Sequence, residues 1–84
     1  MGAYQDIHEP IAVEAVFRSG RIQPNKFWWS GREHKVEQVT YRWQDRRGQA
    51  RLRFFSVVNG TDVYEICFDS SNCQWILCRV CLEG

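Results

Sequence analysis

The residues of this chain best suited to chemistry are its arginines. Nine of its eleven cations are Arg, whose planar fork contacts phosphates and carboxylates in bidentate fashion and stacks on rings. They are unevenly spread. Residues 18–53 hold ten basic side chains against Glu33, Glu37 and Asp45, a local balance of +7, whereas residues 1–17 and 54–84 each carry −3. A net charge of +1 therefore conceals a basic middle between two acidic ends. Basic residues interleaved with aromatic ones are what a surface needs to hold a polyanion, with guanidinium groups for phosphates and flat rings for bases.

Other chemistries have little support. His8 and His34 are the two imidazoles; the first lies in a segment without periodicity, and the second, between Glu33 and Lys35, reads as an edge or surface residue. No Ser or Cys sits in a nucleophile-elbow context, no Gly-rich phosphate loop opens a helix, and no carboxylate pair is marked out by spacing. A non-catalytic protein is the expectation. Cys67, Cys78 and Cys81 fall in strand-like segments and Cys73 between them. A zinc site places CxxC on a turn, but Cys78 and Cys81 are three apart in a strand, which sends them to opposite faces. Cys73 and Cys81 share a face but lie ~26 Å apart along an extended chain. No apolar stretch near the start resembles a signal peptide and no run approaches the roughly 18 apolar residues of a membrane span. A cytoplasmic protein with reduced, half-buried thiols and no cofactor, metal or membrane partner is expected.

The elements that must carry the arginines are strands. A chain of 84 residues has room for one domain with a small core, and four Trp, three Tyr and five Phe supply its apolar area. Residues 1–9 read as a flexible tail and 10–84 as a single β domain. Ile11, Val13, Ala15 and Phe17 alternate over 11–18, which favours a strand, although Pro10 and Gly20 also suit the two ends of a helix. Further strands are expected at 27–30, at 34–44 with a bulge between Val36 and Val39, and at 50–58, 62–68 and 74–82. The result is an all-β protein, a six-strand antiparallel meander forming a small open barrel or roll.

Register decides which residues face outward. A four-residue loop at 45–48 opposes Trp43 with Ala50, Tyr41 with Leu52 and Val39 with Phe54, leaving Arg42 against Arg51 and Thr40 against Arg53 on the other face. A three-residue loop at 58–60, with Gly60 left-handed, sets Phe54 against Tyr64, Leu52 against Ile66, and Arg53 against Glu65. The expected core is then Phe17, Phe27, Trp29, Val36, Val39, Tyr41, Trp43, Leu52, Phe54, Tyr64 and Ile66. Arg42, Arg51 and Arg53 cluster outside, with Arg46 and Arg47 on the adjoining loop and Trp28 and Phe55 as stacking rings. As solvated residues the three strand arginines should be replaceable with little loss of stability. This pattern points to a non-catalytic binding module for nucleic acid, single-stranded by analogy with small β-barrels. The alternative is a protein–protein interaction or homo-oligomerisation module, because arginine on a strand face also guards against edge-to-edge aggregation.

The sequence Pro10-Ile11, the run from Phe27 through Trp28, Trp29, Ser30 and Gly31 to Arg32, then His34, Val36, Val39 and Trp43, and the closing Val63-Tyr64-Glu65-Ile66 and Trp75-Ile76-Leu77 resemble a family of small uncharacterised bacterial all-β domains. The similarity spans residues 10–82 and rests on core aromatics and turn residues, which speak to fold rather than activity. Some members of that family sit beside, or are fused to, proteins of translesion DNA synthesis. The resemblance thus implies a DNA-repair protein as a further candidate partner. It assigns no functional residues.

Overall fold

The computed structural model describes residues 3–82. Its elements are β1 (Gln5–Arg18), β2 (Arg21–Trp29), β3 (Arg32–Lys35), β4 (Gln38–Arg47), β5 (Ala50–Asn59), β6 (Asp62–Asp69) and β7 (Gln74–Cys81). They form one antiparallel sheet in the order β3-β2-β1-β7-β6-β5-β4, curled into a half-barrel. Among the described residues no helix is long and apolar enough to cross a membrane.

There are seven strands rather than six because the segment expected at 34–44 breaks at Val36 and Glu37. That break opens the barrel. Each strand pairs with its neighbour in sequence except β3 with β4, while β1 pairs with β7. The short β3 with β2 behind it forms one rim of a seam, and β4 forms the other. At one end the link ties the rims together: Val36 N–H donates to the Asn25 carbonyl at 2.8 Å and Glu37 N–H to the Val58 carbonyl at 2.9 Å.

The alternation in β1 is that of a strand, with Ile11, Val13 and Ala15 half-buried and Ala12, Glu14 and Val16 exposed. The expected tail is corrected from Gln5 onward, since Gln5, Asp6 and Glu9 pair with Val80, Arg79 and Leu77 of β7. Residues 1 and 2 of that tail lie outside the described residues.

Both expected hairpin registers are corrected, for one reason. Arg47 opposes Ala50 across Gly48 and Gln49, and Asn59 opposes Asp62 across Gly60 and Thr61. Gly48 and Gly60 have φ of +57° and +62°, the left-handed conformation that two-residue hairpin turns need at their first central position. The longer loops of the sequence reading had put each glycine last. In β4–β5 the slip is even and keeps the faces, but it pairs Trp43 with Phe54, Arg42 with Phe55 and Arg46 with Arg51. In β5–β6 it is odd and exchanges them. Phe55 and Val57 oppose Ile66 and Tyr64, so Phe55 is 3 % exposed and belongs to the core rather than to an outer stacking face.

The core comprises Ile22, Phe27, Phe55, Val57, Tyr64, Ile66, Trp75, Leu77 and Val80, with Trp29, Val36 and Val39 packed against it. Leu52 is also buried, but Phe17, Tyr41 and Trp43 are exposed at 57 %, 73 % and 37 % and Phe54 is half-buried. Rings run through the molecule from the end of β1: Phe17 meets Phe68 at 5.4 Å, Phe68 meets Trp75 at 5.1 Å, and Trp75 meets Phe55 at 5.6 Å. Each contact adds roughly 0.5–1.5 kcal/mol to the area buried, so the exposed Phe17 is anchored to the core.

Candidate functional site

At the end of the seam away from the β3–β4 link, arginines replace the missing ladder. Arg42 on β4 lies with its guanidinium 5.4 Å from the Phe55 ring centroid. Its Nη1 donates to the Ile22 carbonyl at 2.6 Å and its Nη2 to Gln23 Oε1 at 2.7 Å, both on β2. Arg53 on β5 donates from Nη1 to the Gly20 carbonyl at 2.9 Å. These charge-assisted bonds join β4 to β2, and β5 to the turn between β1 and β2, elements that share no backbone pairing. Burial, and then the charge of Arg21, lower the Arg42 pKa from its ordinary value; a guanidinium stays protonated at neutral pH regardless.

Four further arginines surround these two. Arg18 and Arg21 flank the two-residue turn at Ser19 and Gly20, and that hairpin end meets Arg51, Arg53, Phe68 and Ser70 around a cleft of about 450 Å³. Arg46 stands directly opposite Arg51, an arrangement of like charges that costs stability. Among the described residues the ion pairs are Lys26–Glu33 at 3.8 Å and Arg79–Glu65 at 2.9 Å. None of the six arginines in the cluster forms an ion pair with a carboxylate among the described residues. Glu65, expected to face Arg53, pairs instead with Arg79, while Phe68 occupies the position opposite Arg53. The side chains of Arg18, Arg21, Arg46 and Arg51 form no hydrogen bond among the described residues, so their charges are left to act on one another and on what approaches this end of the barrel.

Of the residues expected to form the site, Arg42, Arg46, Arg51 and Arg53 are brought together at this rim, although Arg42 opposes Phe55 rather than Arg51. Arg46 and Arg47 end β4 rather than forming a loop, and strand alternation sends Arg47 to the other face, where its charge favours ionisation of Cys67 and Cys78. Trp28 is seven residues from Arg21 along β2, ~23 Å. It lies beneath the Lys26 ammonium at 5.9 Å, away from the rim. The sequence reading missed Arg18, Arg21, Phe17 and Phe68. The signal was available in Arg18-Ser19-Gly20-Arg21, a hairpin turn with a cation on each shoulder.

The imidazole and the thiols lie elsewhere in the fold. His34 stacks on Phe27 at 5.0 Å, with Nε2 donating to the Trp29 carbonyl at 3.3 Å. A bulge in β7 lets Leu77 and Val80, three apart, oppose Ile66 and Tyr64 in the core, so the alternation that was to separate Cys78 from Cys81 does not hold there. Cys78 instead shares a hydrogen bond with Cys67, which holds the Cys67 thiol well above its ordinary pKa, with burial adding to the rise, and lowers that of Cys78. Among the described residues no group of three or more His, Cys, Asp or Glu could hold a metal ion.

No family model, curated protein or solved structure matches the chain.

Proposed function

We propose that this protein is a non-catalytic module that binds single-stranded nucleic acid across the arginine rim of its open barrel. The observation that carries the reading is the gathering of Arg18, Arg21, Arg42, Arg46, Arg51 and Arg53 with no ion pair to a carboxylate among the described residues, a concentration of charge that a small domain tolerates at a cost to its own stability. Arg42 and Arg53 brace the seam, and Arg18, Arg21, Arg46 and Arg51 engage phosphates. Four side chains on two separate hairpins suit a chain of phosphates better than one small anion.

Fluorescence anisotropy with a labelled ten-nucleotide thymidylate strand tests this. Four neutralised phosphates give a slope of log affinity against log salt of about −3 for a single strand. Arg51→Gln, which removes no internal side-chain bond, should weaken binding and flatten the slope by about 0.7. Binding that is absent at low salt, or indifferent to both salt and Arg51, would end the proposal.

A second reading has its own observation. Trp43 and Phe54 stack at 5.1 Å and 5° on the outer face, with Tyr41 against Trp43 at 6.2 Å. Exposed aromatic residues on the edge strand β4 suit a protein partner or a second copy. Concentration-dependent association that is insensitive to salt and lost in Trp43→Ser would favour it; a chain that stays monomeric at high concentration excludes the second copy.

A further inference from the structure

Resting on that reading, we infer that Phe17 and Phe68 form a seat for one unpaired base, so that the site selects an exposed nucleotide and not merely a string of phosphates. Phe17 ends β1 beside Arg18 and is 57 % exposed, an unusual cost for the only aromatic residue of its strand. Its position is fixed rather than loose. The Phe17 and Phe68 planes meet at 68° and Phe68 is backed by Trp75, so the Phe17 ring is braced from one side by the aromatic chain that leads into the core.

The surroundings name the chemistry. Phe17 and Phe68 line the cleft of about 450 Å³ together with Arg18, Arg21, Arg51 and Arg53, and that volume is within the range of small-molecule sites, about 300–1,000 Å³. A wall of rings beside a wall of guanidinium groups complements a nucleotide, which carries a flat apolar base and an anionic phosphate. A peptide offers no such pairing at every residue. In a duplex the base faces are covered by their neighbours, so stacking of this kind is open to a strand with splayed bases. Because every base has a π-face, the seat should tolerate any of them.

The test compares three ligands of equal length on the intact chain: a ten-nucleotide thymidylate strand, an abasic strand with the same phosphates, and a duplex. The thymidylate strand should bind more tightly than the abasic one by about 5- to 150-fold, the range for one stacked base. Phe17→Leu should close that gap while leaving the salt slope unchanged, and Phe17→Tyr, which keeps the ring, should preserve it. The aromatic proton signals of Phe17 and Phe68 should move upfield with the thymidylate strand alone. Equal binding of the abasic strand, or a gap that survives Phe17→Leu, overturns the seat while leaving the phosphate reading intact. Tighter binding of the duplex than of either single strand overturns the seat as well. Failure of all three ligands to bind removes both.

Discussion

Replacing Arg42 with Met keeps most of its aliphatic stem and deletes its charge, and the structure gives this change a large expected cost. The Nη1 bond to the Ile22 carbonyl is short, 2.6 Å, and partly buried; a hydrogen bond from a charged donor in such a setting contributes about 1.5–3 kcal/mol. The guanidinium over Phe55 adds about 0.5–1 kcal/mol, the range for a partly exposed cation–π contact. The bond to Gln23 is exposed and, screened by water, adds little. The sum is roughly 2–4 kcal/mol, a large part of the 5–15 kcal/mol that holds a typical domain together. For a domain of this size each kcal/mol moves Tm by about 4–8 °C, so Arg42→Met should lower it by at least ~8 °C. Thermal and urea unfolding followed by circular dichroism would measure this. An unchanged m-value would show that the seam is loosened without altering the unfolded chain. Should Tm fall by less than ~3 °C, Arg42 is a solvated cation after all, and the account of the seam is wrong.

Other consequences are smaller and separable. Arg53→Met loses one exposed bond to the Gly20 carbonyl and should cost about 1 kcal/mol by urea unfolding, clearly less than Arg42→Met. Gly60→Ala meets no atom within 4 Å but must hold φ near +62°; a loss of about 1–2 kcal/mol, with no loss for Thr61→Ala, would confirm the two-residue turn, and a neutral result would refute it. Glu65→Gln removes the charge from a carboxylate whose side chain is only 14 % exposed and which pairs with Arg79, so stability should fall by about 1–3 kcal/mol while oligonucleotide affinity stays constant; a gain in affinity would mean that Glu65 neutralises the rim. As pH rises, Cys78, whose pKa is lowered by the hydrogen bond from Cys67, should be alkylated before Cys67, whose thiol is both buried and held protonated. Mass spectrometry of partially alkylated protein reads the order, and the reverse order contradicts the proposed hydrogen bond.

Much of the fold was legible because most strands carry a one-sided pattern. Ile11, Val13 and Ala15 face the core side of β1, and the slip in alternation near Val36 marked the place where one strand becomes two. The registers were not legible from pattern, because β5 is apolar on both faces. Leu52 and Phe54 on one side compete with Phe55 and Val57 on the other, and hydrophobicity cannot choose between them. The turns decide, through the left-handed φ of Gly48 and Gly60, and a slip of three residues exchanged the faces of β5 relative to β6.

The site was legible as a concentration of charge and illegible as a division of labour. The excess over residues 18–53 can be read from the sequence alone. That Arg42 is tied to a β2 carbonyl and Arg53 to the Gly20 carbonyl of the β1–β2 turn, while Arg18 and Arg51 are not so tied, depends on a seam between elements distant in sequence, which no local pattern encodes. The same holds for Phe17: its periodicity matches a core residue, but the barrel ends before it and leaves its ring in the cleft.

The most direct measurement is a nuclear magnetic resonance titration of the isotopically labelled protein with the ten-nucleotide thymidylate strand at low salt. Amide and guanidinium shifts should concentrate on residues 17–21, on Arg46 and Arg51, and on Phe68 and Ser70, fading as salt is raised. Shifts centred on Trp28 or on the Tyr41–Trp43 face, or a spectrum the strand leaves untouched, would contradict the account.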